Sequence, residues 1–273
     1  MIKNLSVIIA TYNEEIHLER LLKQISNKVK NIYVIDSYSN DKTIGIAKKY
    51  NCKIYKKKFI NHSIQINYLL KKIKLRNHWI LRLDADEIIE NNFFKKFEKI
   101  INLNNYNGLI IKREYFFLGK KIKYGGVYPL YEVRIWKNKM GYYDNRAVDE
   151  KIVIHKPKIY KSNLIIIDKN LKSLKYWFSK HFRYAQNEAM EYLKMKTLKS
   201  QKNSITNIHS KRAAYYKFPI FLRAFLLFLY RYIYKKGFLD GINGILYNLL
   251  QTLYYRLLVD LFITFHRISL IFK

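Results

Sequence analysis

Three short apolar runs in the first third of the chain, each ending on a polar cluster, most narrow what it can fold into. Leu5 to Ala10 runs into Thr11-Tyr12-Asn13-Glu14, Ile32 to Ile35 into Asp36-Ser37-Tyr38-Ser39-Asn40-Asp41, and Trp79 to Leu83 into Asp84-Ala85-Asp86. Between them the apolar spacing is helical. Ile16, Leu18, Leu21, Leu22 and Ile25 share one face over Glu14 to Ser26, with Thr11 or Asn13 as cap. Asn40-Asp41 caps a second helix through Tyr50, Lys53 to Lys56 reads as a short strand, and His62 to Ile73 as a third helix. Strands alternating with helices predict βαβ units and a parallel sheet. That places the three clusters at one carboxyl edge, where open α/β sheets bind their ligands.

The rest of the chain changes character twice. From Gly108 the pattern predicts strands at Leu109 to Ile111, Tyr115 to Leu118, Val133 to Trp136 and Ile152 to Ile154, with turns at Gly119-Lys120-Lys121 and Gly125-Gly126. Leu171 to Lys196 reads as one helix, with Leu171, Leu174, Phe178, Phe182, Ala185, Ala189 and Tyr192 along one stripe. Phe218 to Tyr234 is apolar or aromatic apart from Arg223 and Arg231. A second long helix over Phe238 to Phe272 carries Arg256, Asp260 and Arg267. Lys235 to Gly241 is the hinge between them. Neither segment is clean enough to span a bilayer. Arginine and tyrosine among leucine and phenylalanine suit helices lying in a headgroup plane, with the basic groups on anionic lipid; helices packed on the globular part are the alternative.

Composition sets the partners and the compartment. Lys plus Arg number 52 against 20 Asp plus Glu, a formal charge of +32. AT-rich codon bias would raise Glu as well as Lys, so the excess points to polyanionic partners: nucleic acid, an anionic membrane or phosphorylated glycolipid. The single cysteine, Cys52, allows neither an internal disulfide nor a thiolate zinc site, and the seven histidines show no ligand spacing. Met1 to Leu5 passes straight into a strand without a leader's apolar region, which predicts a cytoplasmic protein.

The clusters suit a nucleotide and its phosphates. Asp36 is the candidate acceptor for a base N–H or a ribose hydroxyl. Asp86 is the candidate ligand for a hard divalent cation, since Mg²⁺ is commonly held by one or two carboxylates plus substrate phosphates. Each has a plainer reading as a turn or cap residue. The same cluster after three successive strands favours the site.

On these motifs, "LSVIIATYNEE", "IYVIDSYSNDKT" and "WILRLDADE", the chain resembles glycosyltransferase family 2, the inverting sugar-nucleotide enzymes of GT-A fold. "GGVYPLYEVRIWKNKMG" and "AVDEKI" extend the likeness, less strongly, to bacterial lipopolysaccharide core β-glucosyltransferases. The resemblance implies an α/β fold: a GT-A Rossmann-like nucleotide-binding domain with a mixed sheet, to which the pattern of the last third adds C-terminal amphipathic helices. Together they predict a catalytic domain over residues 1–200 and a helical membrane-associating region over 201–273. The donor-binding half of the catalytic domain is 1–105, and the acceptor side is 106–200. Thr11, Tyr12 and Glu14 would line the nucleotide pocket, with Asp36 near base or ribose and Asp84 at the donor ribose or sugar. Asp86 would hold Mg²⁺ or Mn²⁺ on the diphosphate. Glu150 is the favoured general base; Asp149 stands where the subgroup more often has histidine, so both stay open. Arg134 would face donor or acceptor phosphate. Gln65 and Asn67 match a Gln-x-Asn helix start facing the nucleotide, with hydrogen bonding into the core as the alternative. Lys180 and Tyr184 fall on a helix recurrent in these enzymes. Tyr38 stands where many relatives carry glycine, which argues against a positive-φ turn there.

The function so implied is transfer of a sugar, commonly from a UDP-hexose, to a membrane-anchored glycan or glycolipid at the inner face of the cytoplasmic membrane. Two readings compete with it. One is a transferase acting on polyprenyl phosphate itself. The other is a basic nucleic-acid-binding protein, disfavoured because no basic-aromatic recognition motif is present.

Overall fold

In this computed structural model the described residues are 2–75, 79–102, 105–144, 151–199 and 214–271. They form two compact units, Met1–Lys121 with Pro129–Leu171, and Ile122–Tyr128 with Lys172–Lys273.

The first unit is α/β. Its early strands are β1 (Ile2–Thr11), β2 (Val29–Asp36), β3 (Lys53–Lys56) and β4 (Trp79–Asp84). Helices α1 (Glu15–Ile25), α2 (Thr43–Lys49) and α3 (His62–Lys72) connect them. These four strands are parallel, in the order β3-β2-β1-β4. Alternate β1 residues feed opposite faces. Val7 and Ile9 pack with Leu18, Leu21, Leu22 and Ile25 of α1, whereas Ile8 packs with Ile66 and Leu69 of α3. Full burial of each leucine on α1 contributes about 1.5–3 kcal/mol, so the period-2 and period-3.6 patterns fix the layers together.

Later strands extend the sheet in mixed sense. They are β5 (Glu87–Ile89), β6 (Gly108–Phe117), β7 (Lys120–Ile122), β8 (Leu130–Lys137), β9 (Gly141–Tyr143), β10 (Ile152–Ile154) and β11 (Ile159–Lys169), with α4 (Phe93–Ile101) after β5. Beyond β4 the order runs β8-β6-β11-β5, and β8 is antiparallel to both β4 and β6. The two strands predicted over Leu109 to Leu118 are one, because Lys112, Arg113 and Glu114 interrupt the apolar run without ending the strand. At its end Leu118 and Gly119 both take positive φ, 47° and 79°, the backbone a two-residue hairpin needs. Strands β9 and β10 form a separate antiparallel pair.

Helix α1 has no side-chain cap, contrary to the expectation for Thr11 or Asn13. Asn13 instead takes φ 53°, and Asp41 serves both helices, accepting from Glu15 N at 3.1 Å and Thr43 N at 2.9 Å.

The second unit is helical. It contains α5 (Leu174–Lys199), α6 (Leu222–Leu229) continued by a π-helical turn over Tyr230–Tyr234, α7 (Gly241–Asn248), and α8 (Tyr255–Ile271) after a second π-helical stretch. Ala185 and Ala189 of α5 are buried against Tyr255, Val259 and Ile263 of α8. Leu174, Phe178 and Phe182, from the same predicted stripe, are exposed. The hinge forms as expected, with Lys236 at φ 56° and Gly241 at φ 64°. A side chain at Gly244 would meet the Gly237 carbonyl at 2.3 Å, so only glycine permits that closure.

The arginines of this unit differ from expectation. Arg223 is buried and makes a bidentate pair with the equally buried Asp260. Arg256 donates to Glu188 at 2.7 Å, and that carboxylate also accepts from the hydroxyls of Tyr216 and Tyr255. Charges this costly to desolvate persist inside only when paired. The two arginines therefore face protein, not lipid headgroups.

Candidate active site

The carboxyl ends of β2, β1 and β4 lie side by side. Thr11 is opposite Asp36 across β1 and β2, and Ala10 is opposite Asp84 across β1 and β4. The three polar clusters thus meet at one sheet edge.

Buried Thr11 donates its hydroxyl to Asp36 Oδ1 at 2.9 Å. Ser39 adds two bonds to the same carboxylate, from Oγ to Oδ1 at 2.6 Å and from N–H to Oδ2 at 2.8 Å. Ser39 Oγ also accepts from Asn13 N at 2.8 Å, and Asn13 Oδ1 accepts from Asn40 N at 3.0 Å. Asp36 is therefore the centre of a latch between the β1–α1 and β2–α2 turns. Oδ1 is filled by two donors, so Oδ2, with one, is the oxygen left to accept from a base or ribose. Behind it, buried Gln65 donates to Ser37 Oγ at 2.6 Å, holding the end of β2. Asn67 faces the core side, bonding both N–H and C=O of Tyr143 in β9.

Tyr38 takes φ 63° and is 59% exposed, so the positive-φ turn is kept without glycine. A non-glycine residue there costs roughly 1–2 kcal/mol, and the two Ser39 bonds to Asp36 hold the turn against that cost. Tyr12, on the neighbouring turn, is also exposed. Glu14 is committed elsewhere. The fully buried His17 accepts from Leu171 N at Nε2, 2.8 Å, so its Nδ1 carries the proton and donates to Glu14 Oε2 at 2.6 Å.

Asp84 belongs to a buried ionic network that the sequence reading missed. Arg82 donates to its Oδ1 at 2.6 Å and Arg134 to its Oδ2 at 3.4 Å. Arg134, 3% exposed, also donates to Glu132 at 2.8 Å and to Glu87 at 3.0 Å. Arg113 joins Asp168 at 2.5 Å and approaches Glu87 and Glu132, each at 3.4 Å. Three guanidiniums hold four carboxylates from five strands. Arg134 is thus occupied by carboxylates, and the expected contact with phosphate has no vacant donor fork here. The signal was in the spacing: Arg82 and Asp84, like Glu132 and Arg134, are two apart and share a strand face.

Asp86 differs from Asp84. It is half-buried on the turn beyond β4, with Oδ2 accepting from Asn170 Nδ2 at 2.8 Å. Its backbone carbonyl is pinned by Arg20 at 2.9 Å and by Lys169 N at 3.2 Å. A carboxylate held at a fixed backbone and partly open to solvent fits a divalent cation shared with a diphosphate. Among the described residues no three acidic, histidine or cysteine side chains form a cage for a metal. Asp149 and Glu150 lie outside the described residues. On either side of them, Asp144 N donates to Lys151 O at 3.0 Å. Lys180 and Tyr184 lie on α5, with the ammonium 5.6 Å from the tyrosine ring centre.

The network splits its carboxylates electrostatically. Burial would raise Asp84, but Arg82 and Arg134 overcome it and hold the group well below the usual range. Burial likewise opposes Arg134 and Arg113 at Glu132, which ends up lowered. At Glu87 burial dominates, aided by Asp84, and the group is pushed up to about 7. Burial also raises Asp168, to about 6. Raised carboxyls bind protons in the folded state that the unfolded chain has already lost, so stability falls as pH rises through that window. Lowered carboxylates act oppositely and lose their contribution only in stronger acid. In buffer without divalent cations, the unfolding free energy from urea titration is expected to fall between pH 5 and pH 8, by on the order of 2 kcal/mol. Glu87→Gln is expected to flatten that slope.

Comparison with known proteins points to one family. The profile of the family described as "Glycosyl transferase family 2" matches residues 6–157, more than half of the chain. An uncharacterized glycosyltransferase of Rickettsia typhi is 26% identical over 252 residues, 88% of this chain and 82% of the relative. One of Rickettsia bellii is 31% identical over 103 residues, 38% of this chain and only 34% of that relative's length. Among solved structures, residues 1–349 of S. aureus TarS in complex with UDP-GlcNAc superpose with a TM-score of 0.45 at 13% identity, covering 95% of this chain and 90% of that one. A Mycobacterium tuberculosis glucosyl-3-phosphoglycerate synthase in complex with Mn²⁺ and UDP gives a TM-score of 0.33 at 17% identity, covering 42% and 44%. Likenesses this distant say nothing of donor or acceptor.

Proposed function

The chain belongs to glycosyl transferase family 2, and on that premise we propose an inverting transferase that moves a hexose from UDP to a membrane-anchored surface glycan such as lipopolysaccharide core. One observation carries the donor half of this reading. Thr11, Asp36 and Asp84 end three adjacent parallel strands, Asp36 opposite Thr11 and Asp84 opposite Ala10, with Asp86 on the turn just beyond. A nucleoside at the β1–β2 edge meets Tyr12, Tyr38 and the Asp36 latch. Its diphosphate then runs toward Asp86.

Asp86 would hold Mg²⁺ or Mn²⁺. Such a cation supplies charge neutralisation on the departing diphosphate, a Lewis-acid role. The acceptor hydroxyl oxygen attacks the anomeric carbon as the bond from that carbon to the diphosphate oxygen breaks. The hydroxyl proton passes to Glu150, or to Asp149 in the alternative assignment. Asp84 and Arg134 act beneath this site: locked to Arg82, Glu132 and Glu87, they fix the turn that presents Asp86. The acceptor is proposed to be phosphate-bearing, on the strength of the +32 charge.

Calorimetry with UDP-, GDP-, dTDP- and CMP-sugars, with and without Mn²⁺, tests the donor. Metal-dependent binding of the UDP sugar alone is expected. A folded protein that binds none of them would overturn the reading. Salt-sensitive nucleic-acid binding in that case would transfer the assignment to the basic surface.

A further inference from the structure

The second unit has a helix whose polarity is reversed. On α6 and its π-helical continuation, Leu222, Phe225, Leu226, Leu229, Ile233 and Tyr234 are all exposed, between 41% and 72%. They recur at i, i+3, i+4, i+7, i+11 and i+12, a continuous stripe. Of the two charged residues along this length, Arg223 is instead inside, paired with Asp260 and stacked over Tyr192, Tyr215 and Tyr216, and Arg231 is half-buried off the stripe. A helix that faces water places these classes the other way round.

We infer that this stripe is the surface by which the protein enters an anionic lipid bilayer, lying in the interface plane. Exposed Lys217 precedes the stripe and exposed Lys235 and Lys236 follow it, so both ends offer cations to lipid phosphates. Tyr230 and Tyr234 carry an apolar ring and a polar tip, which suits the headgroup boundary. No helix among the described residues is long and apolar enough to cross a membrane, so the mode is lateral burial. A second copy of the chain fits less well. An antiparallel self-contact along the stripe would bring Lys217 of one copy against Lys235 and Lys236 of the other.

This deepens the proposed function by naming the surface that meets the membrane. Donor binding is measured without lipid, so the two readings can fail separately. The test is flotation of the full chain with phosphatidylcholine vesicles, with and without phosphatidylglycerol. Wild type is expected to float with the anionic vesicles. The double variant F225S/L229S is expected to lose at least tenfold in partitioning at an unchanged melting temperature. K217Q/K235Q/K236Q is expected to lose the preference for phosphatidylglycerol. In a separate variant, L229W, brominated lipid is expected to quench the added fluorescence. Unchanged flotation of F225S/L229S together with an unquenched L229W would overturn the inference. So would an oligomer that this double variant converts to monomer, since the stripe would then be a contact between copies.

Discussion

Arg134→Met is expected to lower the stability of the first unit by about 3–5 kcal/mol, the typical loss when one partner of a buried ion pair is removed. Against a domain stability of about 5–15 kcal/mol, that is a large fraction. The reason is the number of groups it serves. Arg134 is buried and donates to Glu132, Glu87 and Asp84, so its loss leaves three carboxylates to Arg82 and Arg113. Methionine fills the volume, which separates the charge effect from a cavity. Arg134→Lys should fall between, since one ammonium cannot reproduce a planar fork with contacts to three carboxylates. The loss should also shrink as pH falls from 8 to 5.5. Glu87 is already held up near 7 by burial, and without Arg134 it is protonated more readily, removing a buried charge. Chemical denaturation at the two pH values measures this. Equal midpoints for wild type and Arg134→Met would mean that the network contributes nothing to folding.

The same network shows what the sequence could and could not disclose. The edge where Thr11, Asp36 and Asp84 meet was legible, because three apolar runs with helical segments between them leave little choice but parallel strands. The rest of the network was not legible, because Arg113, Glu132 and Asp168 come from strands whose pairing is set by the whole sheet. β6 is the clearest case. Its central Lys112-Arg113-Glu114 looks like a break, yet Arg113 is there because Asp168 and Glu87 await it from β11 and β5. β11 itself carries a polar and apolar alternation, with Leu164 and Ile166 buried, that deserved assignment as a strand. In the second unit the apolar runs were plain but the direction of their arginines was not. Nothing local tells Arg223 to point at Asp260, 37 residues away in sequence. Tyr38 is a smaller lesson: a glycine-type turn was discounted on residue type, while Ser39 and Asp36 supply the bonds that keep it.

Asp86→Asn is expected to reduce kcat/KM by about 10³-fold, the several kcal/mol a metal ion contributes to transition-state charge stabilisation. Folding should survive the change. What ties this residue to the fold is its backbone carbonyl, held by Arg20 and Lys169 N, and the Asn170 amide can still donate to an asparagine oxygen. The melting temperature should therefore move little while metal-dependent donor binding is lost. Asp84→Asn should behave differently, because it removes a charge that Arg82 and Arg134 both hold. Its activity loss would come with a clear fall in stability, and its binding of donor should partly recover at low temperature. The contrast between the two carboxylates is what tests the assignment, since a general weakening of the β4 turn would make them alike. Calorimetry of UDP-sugar with Mn²⁺ on both variants decides it. Retention of metal-dependent binding by Asp86→Asn would move the cation to another ligand and leave Asp86 as a turn residue.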